Sequence, residues 1–389
     1  MKNKITTSIY DNIKKTIKVT NAGLHEPYFD NFDLSYVKNA ILSTYVSSYG
    51  KQIQFFEKKL AKLFKSKYIV CLNSGTSALH IALKLVGVKK NSEVIMPSLS
   101  YVAPANAIKY NGARPYFIDC DISNYGMCPK SLESTLKKII KFKKKIPYNK
   151  ISGRMVSAIL PVHVFGFAVE MDKILKIAKR YNIPVVEDAA DSFGTKFKKK
   201  YTGTFGSAGI FSFNGNKTIT TGSGGAIATN NKKLYLAATH LVSIAKKKHK
   251  WKFYHDQIGW NYRMNNLNAS LGLGQIKKIQ FILKKKRELS KKYKLNFKNN
   301  PYVDYVSEQK NTYCNYWINV IKLKDKYISS RNNILNYLNL KGYQSRPVWE
   351  LLHTLPMYKN SNKSDLKNSI KLYKSTICIP SSPKLIISK

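Results

Sequence analysis

Residues 211–225 read FSFNGNKTITTGSGG, and they set one lysine, Lys217, between a strand-like run and a glycine-rich turn. Phe211, Ser212 and Phe213 end a short apolar run, and Asn214 and Gly215 break it. Gly222, Gly224 and Gly225 then permit a tight turn before the apolar segment 226–229. Lys217 is therefore expected on a loop held at both ends by sheet. A lysine so placed can lose solvent and act as an amine nucleophile toward a carbonyl. In a chain this rich in lysine it is also readable as one more surface cation, so the decision rests on what surrounds it.

Outward from this stretch, strands and helices alternate. The pattern predicts strands over 68–72, 93–96, 114–119, 156–162 and 184–187, with helices over 34–44, 55–64, 103–110, 132–140 and 171–181. Such alternation implies an α/β fold with a parallel sheet covered on both faces, where ligands collect at the C-terminal ends of strands. From Asn230 the pattern turns helical. A long helix is predicted over 267–295, and short strands over 316–323 and 377–380 flank a helix over 331–340. The expected organisation is an N-terminal extension (1–23) without strong periodicity, a large α/β domain (24–270) and a small C-terminal α+β domain (271–389).

Of 389 residues, 43% are hydrophobic, enough for a sizeable core. No run approaches the roughly eighteen apolar residues of a membrane span, and MKNKITTSIYDNIKK lacks the apolar core of a signal peptide. No membrane insertion and a cytoplasmic location are expected. The five cysteines are scattered, with no CxxC pair, which fits reduced thiols and no metal site. The net charge of +46 would ordinarily suggest a polyanion partner. The lysine runs at 141–145, 196–200, 246–252 and 284–287 are spread along the chain without a nucleic-acid-binding motif. They read as a solvated surface with a local attraction for phosphorylated substrates, and no nucleic-acid partner is expected.

Three other places carry chemistry. The turn 73–78, with Gly75, Thr76 and Ser77, joins a strand to a helix; its amides and hydroxyls converge where the helix dipole favours a phosphate, although Ser74 or Thr76 could equally just cap the helix. Glu187 and Asp188 follow the run IPVV, so one carboxylate points into the crevice or caps the next helix. Tyr101, at another strand end, can lie flat against a planar group or belong to the core. With the Ser212 hydroxyl and Lys217, these make a phosphate cup, a flat face, an acid for a ring nitrogen and an imine-forming amine. Pyridoxal 5'-phosphate (PLP) needs that set.

From Leu24 to about Pro380 the chain resembles the DegT/DnrJ/EryC/StrS family of PLP-dependent sugar aminotransferases. NSGTSALH, GARPYFIDCD, ILPVHVFG, VVEDAADSFGT, FSFNGNKTITTGSGG, IGWNYRMNNLNASLGLGQ and QSRPVW carry the match. LHEPYFD, YVSSYGK, PVHVFG and SFNGNK carry a narrower one, to the branch called LegC. The resemblance implies the fold type I of PLP enzymes, with a mostly parallel seven-stranded sheet. It makes Lys217 the residue joined to the cofactor, Asp188 the partner of the pyridine nitrogen, Tyr101 the stacking aromatic, and Thr76, Ser77 and Ser212 phosphate ligands. Asn261 matches an asparagine that reaches the phosphate in the neighbouring subunit, which implies a homodimer with shared active sites. His163 is placed facing the substrate, or in the core, and Arg346 and Trp349 at the sugar nucleotide.

Two positions depart from the family pattern. Asp191 stands where many relatives have glutamine near the cofactor's phenolic oxygen, so its carboxylate must be protonated, turned away or answered by a cation. The chain stops at PSSPKLIISK, where relatives usually continue into a last helix. The resemblance implies amino transfer from L-glutamate to a UDP- or GDP-linked 2-acetamido-2,6-dideoxy-4-keto-hexose, for legionaminic-type or other surface glycans. Alternatives are a 3-keto sugar aminotransferase, a PLP-dependent sugar dehydratase, whose members carry histidine in place of this lysine, and a DNA-binding regulator.

Overall fold

In the computed structural model, which describes residues 2–387, the short apolar runs become strands buried on both faces. They are β1 (Tyr68–Leu72), β2 (Glu93–Pro97), β3 (Arg114–Ile118), β4 (Val156–Ile159), β5 (Val186–Asp188), β6 (Ala208–Ser212) and β7 (Gly225–Thr229). One set runs β3-β2-β4 and another β5-β6-β7-β1. Parallel bridges from Ile159 to Val185 and from Val162 to Asp188 join β4 to β5. The result is the expected seven-stranded, mostly parallel sheet, in which β7 runs antiparallel to both β1 and β6. Gly225 pairs with Leu72 on one side and Ser212 on the other. A Cβ there would lie 2.4 Å from the Ser74 carbonyl oxygen, so a side chain would push the neighbouring turn away.

Helices α4 (Gly75–Leu85), α5 (Ala103–Tyr110), α6 (Pro129–Ile139) and α7 (Met171–Arg180) connect these strands and bury apolar stripes against the sheet. On the other side, α3 (Lys51–Phe64) packs with α9 (Asn266–Lys277), where Phe56 and Phe64 enter a cluster with Phe193, Phe211 and Phe213. The long helix predicted over 267–295 is two helices, since Lys278 leaves helical geometry between α9 and α10 (Ile279–Phe297). Its buried ammonium is held by Asp30 and Asp33 at the start of α2 (Asn31–Leu42).

The C-terminal part is an antiparallel sheet in the order β8 (Val303–Tyr305), β9 (Asn319–Leu323), β11 (Thr376–Ile379), β10 (Arg346–Pro347). Helix α11 (Arg331–Leu340) matches its predicted bounds, while α12 (Lys367–Ser375) and a hairpin over 140–149 had no counterpart in the sequence reading. The N-terminal residues differ most. Lys2–Ile17 forms α1, with Ile5, Ile9, Ile13 and Ile17 buried against α10 and α11. Their spacing of four is helical, and they complete the core of the C-terminal unit instead of trailing from the large one. Ser388 and Lys389, the end of the quoted PSSPKLIISK, lie outside the described residues. Among the described residues no helix is long and apolar enough to cross a membrane.

Ile9 is fully buried in this core. Ile9→Ala is expected to cost about 2–5 kcal/mol of stability in urea unfolding. Unchanged stability would show that α1 does not pack as described.

Candidate active site

Successive residues of a strand face opposite sides of the sheet, which separates the two carboxylates at the end of β5. Glu187 is fully buried and accepts hydrogen bonds from the amides of Gly203, Phe205 and Gly206 and from His163 Nε2 at 3.2 Å. It fastens the loop before β6. Asp188 turns to a cavity of about 300 Å³ and accepts one bond, 3.0 Å from the Ala190 amide. Burial, with the Asp191 carboxylate after it, pushes its pKa from 3.8 to about 7.

Lys217 enters the same cavity from the loop between β6 and β7. Its amide bonds to the Asn214 carbonyl at 3.0 Å, which tightens the loop. Its Nζ donates to Asp191 Oδ1 at 2.6 Å and lies 3.9 Å from the centroid of the Trp317 ring. Trp317 is held in turn by Nε1 donating to the Asn216 carbonyl at 2.7 Å. Of the three possibilities for Asp191, the cation is realised: Lys217 answers it, while the Phe165 amide bonds its other oxygen at 3.3 Å.

At the start of α4, Ser74 is the N-cap, its Oγ accepting from the Ser77 amide at 3.0 Å. The Ser77 hydroxyl donates to Asn73 Oδ1 at 2.7 Å. The Ser77 hydroxyl is thus engaged inside the cap, and Ser77 is not among the residues that line the cavity. Gly75 and Thr76 do line the cavity opposite Ser212, and a Cβ on Gly75 would lie 2.9 Å from Ser212 Cβ. The leading amides of a helix have no intrahelical acceptor and stand at the positive end of its dipole, so this corner suits an anion.

Of the two placements for His163, the structure has the one in the core. It is fully buried, with Nε2 on Glu187 and Nδ1 accepting from the Val169 amide at 3.2 Å, so it is a core histidine that supports the Glu187 loop. Tyr101 lies at the cavity wall, 55% exposed, edge-on to Trp349 at 6.1 Å. Trp349 stacks on Phe165 at 4.9 Å, and with Arg346 it lines a neighbouring cavity of about 600 Å³. Asn261 is exposed and stands outside both cavities of its own chain; its carbonyl accepts from Asn73 Nδ2 at 3.4 Å. Trp317 and His25 were missed. Trp317 comes from the C-terminal unit, a hundred residues after Lys217, with no local motif; His25 lies in the quoted LHEPYFD but carried no role.

An amine, an acid with no ion-pair partner of its own among the described residues, an aromatic wall and an anion corner around one cavity fit PLP. The neighbours of the chain agree. The model of the DegT/DnrJ/EryC1/StrS aminotransferase family matches residues 27–387. The chain is 38% identical over 335 residues to the GDP-perosamine synthase of Escherichia coli, covering 86% of each chain. It is 31% identical over 337 residues, 85% of each chain, to the UDP-4-amino-4,6-dideoxy-N-acetyl-beta-L-altrosamine transaminase of Campylobacter jejuni. Among solved structures, PseC of Helicobacter pylori, an aminotransferase involved in the biosynthesis of pseudoaminic acid, superposes with a TM-score of 0.85 at 26% identity, over 92% of this chain and 93% of that one. The architecture is the fold type I of PLP enzymes.

The buried Asp188 carboxyl makes a test available without the cofactor. Its folded pKa lies above the unfolded value, so folding takes up a proton between pH 3.8 and about 7 and stability falls as pH rises through that window. Above it the ionised group costs about 4 kcal/mol. Cofactor-free Asp188→Asn should therefore be the more stable protein above pH 7, with the difference vanishing below pH 3.8. Chemical unfolding at several pH values checks this; a difference independent of pH would contradict it.

Proposed function

Because the chain belongs to the DegT/DnrJ/EryC1/StrS aminotransferase family and so is a PLP-dependent sugar aminotransferase, we propose that it moves the amino group of L-glutamate to carbon 4 of a UDP- or GDP-linked 2-acetamido-2,6-dideoxy-4-keto-hexose. The observation that carries the reading is that Lys217 and the unmatched Asp188 face one cavity beside the start of α4. The LHEPYFD, YVSSYGK and SFNGNK stretches support the LegC-like branch and a product used for legionaminic-type acids or another surface glycan. The 4-amino, N-acetyl sugar in the name of the Campylobacter relative supports carbon 4 over carbon 3.

Bound PLP supplies an electron sink that acidifies the carbon–hydrogen bond beside the transferred nitrogen. The chain's own residues do the rest. Lys217 Nζ would hold the cofactor by its aldehyde carbon and, as a free amine, would take the proton from the α-carbon of glutamate. In the second half it returns a proton at carbon 4 of the sugar. Asp191, 2.6 Å away, fixes that amine and Trp317 shields it from water. Asp188 would hold the protonated ring nitrogen, whose charge would offset the burial of its carboxylate. The first amides of α4 with Thr76 and Ser212 would hold the phosphate, Tyr101 would offer an aromatic face to the ring, and Arg346 and Trp349 would meet the nucleotide.

A homodimer with shared sites belongs to the same proposal. Trp251, Phe253 and Ile258 are 71%, 82% and 84% exposed on the segment that precedes Asn261, and Leu34, Leu42 and Tyr49 are exposed on another. Apolar area of this kind is ordinarily covered. Asn261 would then complete the phosphate site of the other copy. The free state of all five cysteines supports a reducing, cytoplasmic setting.

Lys217→Ala should lower turnover roughly 10³-fold or more, and borohydride should no longer fix PLP to the chain; appreciable turnover would sink the assignment. Light scattering should give twice the chain mass, and Asn261→Ala should weaken PLP binding about tenfold at unchanged mass. A monomer with full PLP affinity would rule out the shared site.

A further inference from the structure

The cavity of about 600 Å³ beside the active site has one buried imidazole in its wall, His25. His25 is 8% exposed and lines this chamber, yet neither Nδ1 nor Nε2 has a hydrogen-bond partner among the described residues. Its ring stands edge-on to Trp317, 6.5 Å between centroids. Burial first, and then the Lys286 amino group, hold the imidazole well below its usual protonation range; the Asn216 carbonyl beside the ring opposes this, and Lys217 adds to it. Lys286 itself is spent on the carbonyls of Trp317 at 3.2 Å and Ser381 at 2.8 Å, so it is no partner for the ring.

A neutral imidazole carries one donor and one acceptor. The Asn216 carbonyl is near the ring but makes no regular hydrogen bond with it, so the buried imidazole gains from a group that supplies one. The chamber opens onto the Lys217 cavity, because Tyr101, Asn216, Trp317 and Trp349 line both. The remaining atoms of a substrate that reacts at Lys217 thus have this chamber, with His25 in its wall, open to them. Phosphates and carboxylates offer acceptors alone and are better matched by Arg346 at the same chamber. The same wall carries Phe165, Ile318 and Cys378 as apolar members alongside the polar Glu26, Asn216 and Gln344.

We infer that His25 recognises the 2-acetamido substituent of the acceptor sugar. The inference rests on the acceptor reading above. An acetamido group offers an amide oxygen and an N–H, so either tautomer of the imidazole finds a partner, and its methyl fits the apolar members of the wall. A hydroxyl at the same carbon leaves them uncovered. His25 is thus a specificity-determining residue, and it takes no part in the proton transfers at Lys217.

The test is calorimetric binding to PLP-loaded protein of nucleotide hexoses that differ only at carbon 2, acetamido or hydroxyl, in both UDP and GDP series. The unsubstituted protein should bind the acetamido member roughly tenfold more tightly in one series. His25→Phe, which keeps an aromatic ring without its nitrogens, should erase that preference; His25→Asn, which keeps a donor and an acceptor, should retain part of it and stands in should the phenylalanine variant fail to fold. No preference in the unsubstituted protein, or one that survives both substitutions, overturns the inference. The acceptor reading fails separately, when a 4-keto sugar with a 2-hydroxyl is aminated and its acetamido counterpart is not.

Discussion

A buried carboxylate needs either several hydrogen-bond donors or a cation, and β5 ends on two carboxylates that are treated oppositely. Glu187 collects three backbone amides and an imidazole. Asp188, one residue on and facing the other way, has a single amide and is left raised to about 7. The sheet order places β5 between β4 and β6, near the middle, so this uncompensated acid stands in the crevice at the strand ends. On the proposed reading the missing charge comes from the protonated ring of PLP. The protein then accepts a stability cost at neutral pH that the cofactor removes on binding.

The catalytic amine is held by a second set of contacts that reaches across the molecule. Asn315 Nδ2 lies within hydrogen-bonding distance of the Asp191 carbonyl (2.9 Å), the Phe193 carbonyl (3.0 Å) and Thr218 Oγ1 (3.1 Å). One buried amide thus ties the Asp191 loop, the residue after Lys217 and the C-terminal unit together. Gly166, at φ +96°, makes room for it, since a Cβ there would lie 1.9 Å from Asn315 Oδ1. Two residues further, Trp317 covers the Lys217 amine and forms a wall of the neighbouring chamber. The C-terminal unit therefore shapes both the reacting centre and the space for the remainder of the substrate.

Periodicity made the alternating half of the fold legible: helix 103–110 and helix 331–340 lie at their predicted bounds, and the strand ends carry Lys217, Asp188 and the α4 turn as expected. What could not be read depended on contacts distant in sequence. Whether Glu187 or Asp188 faces the crevice follows from strand alternation only once its register is known. Ser77 and His163 are of the right residue types for a site, but local partners, Asn73 and Glu187, claim their polar atoms. The break at Lys278 answers to Asp30 and Asp33, far upstream. The isoleucines of α1 were a readable signal, masked by the many polar residues between them.

The central claim is that Lys217, Asp188 and the α4 corner form one PLP site that passes an amino group from an amino acid to a keto sugar. The most direct measurement is the visible absorption spectrum of PLP-loaded protein, recorded alone, after L-glutamate, and after a nucleotide-linked 4-keto sugar. The account expects glutamate to bleach the band of the lysine-bound cofactor and the sugar to restore it. A band that glutamate leaves unchanged, or bleaching that no keto sugar reverses, would contradict it.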